Sequence, residues 1–257
     1  MIRVEHATVS FGGLKAVNDL SFDIPDGQIT GLIGPNGAGK TTMFNAIAGH
    51  VPLSDGRIFL QDTDITTLPP HARSKLGLAR TFQIPHEFGR LTVLENFMVS
   101  ATMPIGESVF NVIFRRGRFC EEERAVYHQA REMIALLEIE HVAEEQAGNL
   151  SGGQKKLLEL GRALMCKPSI VLLDEIGAGI NRTLLSKLSE KIQYLNRDKG
   201  LTFCLIEHDL DYVSRLCSSV VVMTQGGLLM HGTVDEVRQD ERVIEAYFGG
   251  GKYEATA

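Results

Sequence analysis

The chain has 257 residues and a mass of 28.3 kDa, which is long for one domain and short for two, so we expect one large core carrying a smaller lobe. Hydrophobic residues make up 44% and charged residues 23% of the sequence, proportions that exclude a disordered or fibrous protein. The net charge of -6 argues against the broad basic surface that a nucleic-acid backbone requires, so we expect no nucleic acid partner.

The four cysteines form no CxxC pair, which predicts free thiols in a reducing cytosol. Cys204 lies in an apolar run and is predicted to be buried. Residues 1–6 alternate in polarity without the apolar core of a signal peptide, and no window approaches eighteen apolar residues. We therefore expect that the chain itself neither enters nor crosses a membrane.

The first elements along the chain are predicted to be short strands. Alternating residues mark strands over Ile2–Phe11 and Leu20–Ile24, and a turn at 25–27 leads into a third strand over Gln28–Ile33. A glycine-rich turn and a helix beginning near Lys40 follow. Such a strand, loop and helix predict a unit of a parallel sheet.

The middle of the chain, about 88–149, contains no convincing strand pattern. Residues 93–101 and 121–137 show helical spacing, and a stretch with proline and glycine at 103–117 separates them. This region is predicted to be an inserted helical lobe.

The last third returns to strands. Apolar runs over Ile170–Asp174 and Thr202–Glu207 each end in an acid, and a predicted helix over 182–199 joins them. A hairpin over 219–231, turning at Gly226-Gly227, completes the pattern. The expected fold class is α/β with a wound sheet.

A phosphate-binding loop is the strongest motif in the sequence. The pattern G-x-x-x-x-G-K-[ST] lies after a predicted strand and before a predicted helix, the context that this motif requires. Its glycines turn backbone N–H groups toward one anion, Lys40 adds a positive charge, and Thr41 can ligate magnesium. The alternative is a plain glycine-rich turn. The predicted nucleotide-binding residues here are Gly34, Pro35, Asn36, Gly37, Ala38, Gly39, Lys40, Thr41 and Thr42.

Two carboxylates, Asp174 and Glu175, follow a predicted buried strand. Both should emerge at the carboxyl edge of the sheet, where open α/β folds bind ligands. Asp174 is predicted to hold magnesium, directly or through water, and Glu175 to orient or deprotonate an attacking water. The alternative is a strand end that caps the next helix.

A second anion cradle is predicted where a helix rich in leucine and lysine begins, at Ser151, Gly152, Gly153 and Gln154. The simpler interpretation is an ordinary helix N-cap. Because one nucleotide does not need two such helix starts, we expect this segment to serve a nucleotide held by another subunit.

With these motifs in this order, the sequence resembles the ATP-binding subunits of ABC transporters over nearly its whole length. The resemblance implies ATP and Mg2+ as cofactors, with Thr41, Gln83 and Asp174 around the metal. It also implies that Gln83 senses the γ-phosphate and that His208 contacts it. Phe11 stands where the family has an aromatic residue against the adenine ring.

The same resemblance implies a P-loop NTPase core of the ABC ATPase type, with an antiparallel β layer and an inserted helical subdomain. The core is expected over 1–86 and 156–257, and the helical, signature-bearing subdomain over 87–155. Implied partners are integral-membrane permeases, a second ATPase in a head-to-tail dimer and, indirectly, an extracytoplasmic solute-binding protein. The implied location is peripheral, at the cytoplasmic face of the inner membrane.

The sequence departs from the family pattern at two places. Ile176 replaces the usual proline after Glu175, and residues 178–181 read Ala-Gly-Ile-Asn instead of the commoner Ser-Ala-Leu-Asp. The asparagine version, the Arg-Thr-Phe-Gln run at 80–83 and the closing residues 243–250 are similar to ATPases of branched-chain amino acid importers. Isoleucine leaves φ free where proline would fix it.

Other functions remain open at this point. The cargo of such a transporter is selected in other subunits, so urea, a lipid or lipopolysaccharide are alternatives to a hydrophobic amino acid. A non-transport ABC ATPase acting on ribosomes or DNA is disfavoured, because the chain has one ATPase unit and no sustained heptads. A nucleotide-gated scaffold would need a defect in the hydrolytic residues, and the sequence has none.

Residues 110–119 place three aromatics and three arginines in ten positions of an acidic protein. One interpretation is an amphipathic piece that packs on its own lobe. The other is an element that docks on a permease beside an anionic membrane, because aromatic and arginine side chains are enriched at protein interfaces.

Overall fold

The computed structural model describes residues 1–81, 87–102, 116–177 and 179–248. The chain divides into two compact units. The first comprises residues 1–80, 169–176 and 193–257, and the second residues 81–168 and 177–192. The residues expected for the helical subdomain, 87–155, lie within the second unit, and the bounds of that subdomain stay a prediction.

A four-stranded antiparallel sheet forms one layer of the first unit. Its strands are β1 (Ile2–Phe11), β2 (Leu14–Ile24), β4 (Asp55–Leu60) and β5 (Thr63–Asp64), in the order β2-β1-β4-β5. Apolar residues alternate along both halves of β1 and face the core, and an irregularity between Val4 and Ala7 interrupts the alternation.

A six-stranded, mostly parallel sheet forms the other layer, in the order β10-β9-β3-β8-β7-β6. Parallel pairing joins β6 to β7, β7 to β8, β8 to β3 and β3 to β9, whereas β9 and β10 form an antiparallel hairpin. The parallel strands present their carboxyl ends at one edge, where open α/β sheets bind ligands. The strands are β3 (Ile29–Ile33), β6 (Leu78–Arg80), β7 (Ile170–Asp174), β8 (Thr202–Ile206), β9 (Ser219–Thr224) and β10 (Gly227–Gly232).

Helix α1 (Lys40–Ala48) shares one hydrophobic core with both sheets. Phe44 and Ile47 of this helix are fully buried with residues of β1 and β7. The helix is thereby fixed with its N-terminus directly after the loop that follows β3.

The described part of the second unit is helical. It contains α3 (Val93–Ser100), α4 (Arg116–Leu136), α5 (Gly152–Met165) and two short 3-10 turns, Glu140–Val142 and Ala147–Asn149. Gly161 lets α3 and α5 approach closely, because a Cβ there would lie 2.5 Å from the Phe97 ring.

Five further helices complete the described chain: α2 (Pro70–Lys75), α6 (Arg182–Arg197), α7 (Leu210–Leu216), α8 (Val234–Gln239) and α9 (Glu241–Phe248). Within the described ranges, no helix combines the length and the apolar character that crossing a bilayer requires.

The predicted fold class, α/β with an antiparallel layer and helices, is confirmed, and so are the predicted strands β1, β3, β7, β8 and the terminal hairpin. The sequence analysis missed β4, β5, β6, α2 and the last three helices α7, α8 and α9, and β2 begins at Leu14 instead of Leu20. The helix expected over 121–137 begins at Arg116. Gln83, Ala178 and residues 110–115 of the aromatic and arginine segment lie outside the described residues.

Candidate nucleotide site

The loop between β3 and α1 has a backbone that only glycine accommodates at two points. Gly34 and Gly39 have φ values of 148° and 97°, in the region that L side chains rarely adopt. A Cβ on Gly34 would lie 2.1 Å from the Met223 carbonyl oxygen, and one on Gly39 would lie 2.3 Å from that of Ala16. The neighbouring strands therefore press directly against the loop.

Lys40, the first residue of α1, is held at the centre of this loop. Its ammonium donates to the carbonyl oxygens of Gly34 at 2.7 Å and Pro35 at 3.0 Å, and the side chain is 5% exposed. Burial lowers the pKa of Lys40, whereas the Glu175 and Asp174 carboxylates oppose that shift. A buried cation thus faces two carboxylates at one end of the site.

The start of α1 has no side-chain cap, because Gly39 occupies the N-cap position. The first N–H groups of a helix have no partners within the helix and carry partial positive charge. Together with Lys40, they make this helix start suited to an anion such as a phosphate.

Glu175 and His208 meet at the carboxyl edge of the sheet. His208 Nε2 lies 2.6 Å from Glu175 Oε1, although the residues come from the ends of different strands. Glu175 has a φ of 49° and donates its backbone N–H to the Ile206 carbonyl oxygen at 3.1 Å. A non-glycine residue in this region is a feature that clusters at functional sites.

A cleft of about 440 Å³ joins these groups in the first unit. It brings together most of the predicted phosphate loop with Glu175 and His208. Phe11, the predicted adenine contact, ends β1 with 53% of its surface exposed, three residues before Leu14 of the cleft wall. The lining residues are Leu14, Lys15, Ala16, Asn36, Gly37, Ala38, Gly39, Lys40, Thr41, Thr42, Glu175, His208, Gln225 and Gly226.

Asp174 is buried at the end of β7 and forms an ion pair that the sequence analysis did not foresee. Its Oδ2 accepts from Arg80 Nη2 at 2.9 Å. Arg80 had been noted only as part of the run 80–83. The only signal for this pair in the sequence is that Asp174 ends a predicted strand and Arg80 ends a short one. Residues at strand ends are too common for this signal to identify a partner.

The predicted second cradle begins α5, in the second unit. Ser151 is the N-cap, its Oγ accepts from the Gln154 N–H at 3.4 Å, and Gln154 Oε1 accepts from the Ser151 N–H at 2.9 Å. Gly153 packs so closely on Leu184 that a Cβ would lie 1.8 Å from that side chain. The N-cap interpretation and the cradle interpretation are compatible, because Gly152 leaves open space at this helix start while Gly153 fits against Leu184.

The residues that depart from the family pattern have structural roles. Ile176 is buried in the core at 4% exposure, so an apolar side chain holds the segment after Glu175. Asn181 Oδ1 accepts from the Leu184 N–H at 2.9 Å, which makes Asn181 the cap of α6.

The C-terminal helix also reaches the phosphate loop. The Tyr247 hydroxyl of α9 is buried next to the backbone N–H of Gly34. Burial raises the pKa of Tyr247 to about 12, so the phenol stays neutral. The sequence analysis assigned no role to this residue.

Comparison with known proteins places these features in a family. The ABC transporter family model matches residues 17–178, and a model described as branched-chain amino acid ATP-binding cassette transporter matches residues 228–253. The probable branched-chain amino acid transport ATP-binding protein LivG of Archaeoglobus fulgidus is 36% identical over 249 residues, covering 97% of this chain and 95% of the relative. The high-affinity branched-chain amino acid transport ATP-binding protein BraF of Pseudomonas aeruginosa is 34% identical, covering 97% and 98%.

Solved structures agree. A nucleotide-free ATP-binding cassette from an ABC transporter superposes with a TM-score of 0.84 at 36% identity, covering 97% of this chain and 99% of that one. An ATP-binding cassette of an ABC transporter in its ADP conformation has the same TM-score and identity, covering 97% and 98%. Because the match extends over nearly the whole chain and includes the nucleotide cleft, this protein belongs to the ABC transporter family as an ATP-binding subunit with ATPase activity.

Proposed function

We propose that this ATPase drives an importer of branched-chain or other hydrophobic amino acids. We infer the cargo from the similarity, over 97% of the chain, to subunits named for branched-chain amino acid transport. The separate match of residues 228–253 to a model of that branch supports it. Cargo-binding residues would lie in other subunits, so the ATPase contributes energy.

ATP would bind in the cleft with its phosphates on the loop 34–42. Lys40 is already among the loop carbonyls and can exchange those contacts for phosphate oxygens, which form stronger charge-assisted hydrogen bonds. Phe11 offers an exposed ring at the end of β1 for stacking on adenine.

The residues of this cleft fit Mg2+. The Thr41 hydroxyl and the Glu175 carboxylate line the cleft, and the Asp174 carboxylate is close enough to Lys40 to oppose the lowering of its pKa. Mg2+ prefers such a site, with few protein ligands and the rest from phosphates and water. We propose that Thr41 and Asp174 bind the metal, together with Gln83, which the family resemblance implies as a further ligand. A bound Mg2+ would neutralise part of the negative charge of the phosphates.

Glu175 would act as the general base toward water, and His208 would steady the γ-phosphate. Their 2.6 Å contact holds the Glu175 carboxylate in a defined direction at the mouth of the cleft. A positioned general base accelerates such reactions by about 10²- to 10⁴-fold. Lys40 and the N-terminus of α1 would stabilise the negative charge that develops on the phosphate oxygens.

A second ATPase subunit would complete the site through Ser151 to Gln154. A more distant cassette with the same fold, at 22% identity, has been solved as a dimer. Closure around ATP would move permease subunits between two states, because a ligand shifts an equilibrium by its differential affinity for them. In this proposal the subunit lies at the cytoplasmic face of the membrane, and a solute-binding protein acts on the other side.

Transport in cells tests this function. Deleting the gene in its native host should abolish ATP-dependent uptake of labelled leucine, isoleucine or valine, and the parent gene should restore it. The Glu175→Gln gene should not restore it. Normal uptake of all three amino acids in the deletion strain, with loss of urea uptake, would refute the cargo assignment.

A further inference from the structure

The side chain of Arg80 links the predicted metal carboxylate to the helix that follows the phosphate loop. Arg80 ends β6, and its Nη2 donates to Asp174 Oδ2 at 2.9 Å. Both side chains are almost fully buried, with exposures of 7% and 2%. Screening by solvent is weak for such a pair, so the guanidinium acts strongly on this carboxylate.

Contacts with α1 hold the guanidinium from its other side. Arg80 Nη1 donates to Asn45 Oδ1 at 2.6 Å, and the guanidinium carbon lies 6.0 Å from the centre of the Phe44 ring. Asn45 and Phe44 belong to the helix that begins at Lys40. The planar donor group therefore has a fixed position relative to both the phosphate loop and the end of β7.

A fixed guanidinium restricts how the Asp174 carboxylate can turn. Arginine presents its N–H groups in a rigid fork, so an oxygen that accepts from it is directionally constrained. A carboxylate has about four lone-pair directions, so pairing Oδ2 with Arg80 is compatible with a cation at another of them. Hydrogen-bonded partners of metal ligands set ligand orientation and metal affinity in general.

We infer that Arg80 is a positioning residue for the magnesium site: by holding Asp174 Oδ2, it sets the orientation in which this carboxylate meets Mg2+ and thereby the Mg2+ affinity of the nucleotide complex. This inference rests on the proposed role of Asp174 at the metal. Arg80 is also the last residue before the chain passes into the second unit at Thr81.

Measuring the Mg2+ dependence of nucleotide binding tests the inference without relying on turnover. The full-length chain is titrated with MgCl2 at a fixed concentration of a fluorescent ATP analogue. In a separate experiment, the analogue is titrated into the chain in the presence of EDTA. Replacement of a hydrogen-bonded partner of a metal ligand typically weakens metal affinity about 10- to 100-fold. Arg80→Gln should therefore need at least about tenfold more Mg2+ for half-maximal binding, with affinity in EDTA unchanged within about twofold.

Arg73 provides a matched control, because it is another buried arginine of the same unit. Its guanidinium donates to backbone carbonyls only, those of Ala46, Ile47, Thr66 and Leu68. Arg73→Gln should lower thermal stability yet keep the parental Mg2+ requirement. Arg80→Lys retains the positive charge but lacks the forked guanidinium, so its Mg2+ requirement should rise less than that of Arg80→Gln. It replaces Arg80→Gln in the test if that variant does not fold.

The Asp174→Asn variant separates failure of this inference from failure of the proposed function. If Asp174→Asn keeps the parental Mg2+ requirement, the metal role of Asp174 is wrong. If Asp174→Asn raises the requirement and folded Arg80 variants do not, only the role of Arg80 is wrong. Adding Arg80→Gln to Asp174→Asn should cause no further rise; a full additional tenfold rise would show that Arg80 acts independently of Asp174 and would also overturn the inference.

Discussion

Glu175→Gln is the sharpest test of the hydrolytic site. The amide retains the shape of the carboxylate and can still hydrogen-bond to His208, which lies 2.6 Å away, so the fold should lose at most about 1.5 kcal/mol of stability. The variant cannot accept a proton from water at neutral pH. Loss of a general base costs about 10²- to 10⁴-fold in rate, which corresponds to about 3 to 5 kcal/mol of barrier.

The assay compares phosphate release under saturating MgATP with nucleotide affinity measured by calorimetry. We expect the variant to bind MgATP within a few-fold of the parent and to turn over at least about a hundredfold more slowly. Glu236→Gln is the control: its carboxylate accepts from the Thr233 N–H at the start of α8, so this change should affect stability and leave turnover unchanged. Turnover of Glu175→Gln within fivefold of the parent would refute the assignment of the base.

Three further changes address other parts of the molecule. Lys40→Ala should weaken ATP binding itself, because the ammonium at the loop carbonyls is lost, and unchanged affinity by calorimetry would contradict this. Dimers of Glu175→Gln in MgATP, detected by sedimentation, should disappear when Ser151→Arg is added, because arginine would crowd the second cradle; persistent dimers would disprove its action on a partner. Arg73→Met should destabilise the fold by at least about 2 kcal/mol in urea unfolding, because buried carbonyls of α1 lose their donor, and an unchanged midpoint would contradict that.

Local patterns were enough to predict the centre of the site. A loop of this composition between a strand and a helix has few alternative conformations, since Gly34 and Gly39 take backbone angles that other residues avoid. The buried strands β3, β7 and β8 were predicted for a similar reason, because uninterrupted apolar runs have to lie inside a parallel sheet.

Elements with weak local patterns escaped prediction. β6 has only three residues and β5 only two, which is too short for a periodicity to appear, and pairing with longer neighbours creates both. The extent of the second unit, 81–168 and 177–192, likewise follows from which residues pack together across the chain. Spacing along the sequence does not contain that information.

The sequence by itself was enough to predict where the motifs of this protein lie: a loop between a strand and a helix, two carboxylates at a sheet edge and a second glycine-rich helix start. Only the tertiary structure decided which groups meet. His208 and Glu175 are 33 residues apart, and Arg80 and Asp174 are 94 residues apart, yet each pair lies within hydrogen-bonding distance. The physical reason is the parallel sheet, which gathers at one edge the ends of strands that are distant along the chain; the Arg80 and Asp174 side chains are buried there, whereas His208 stays partly exposed.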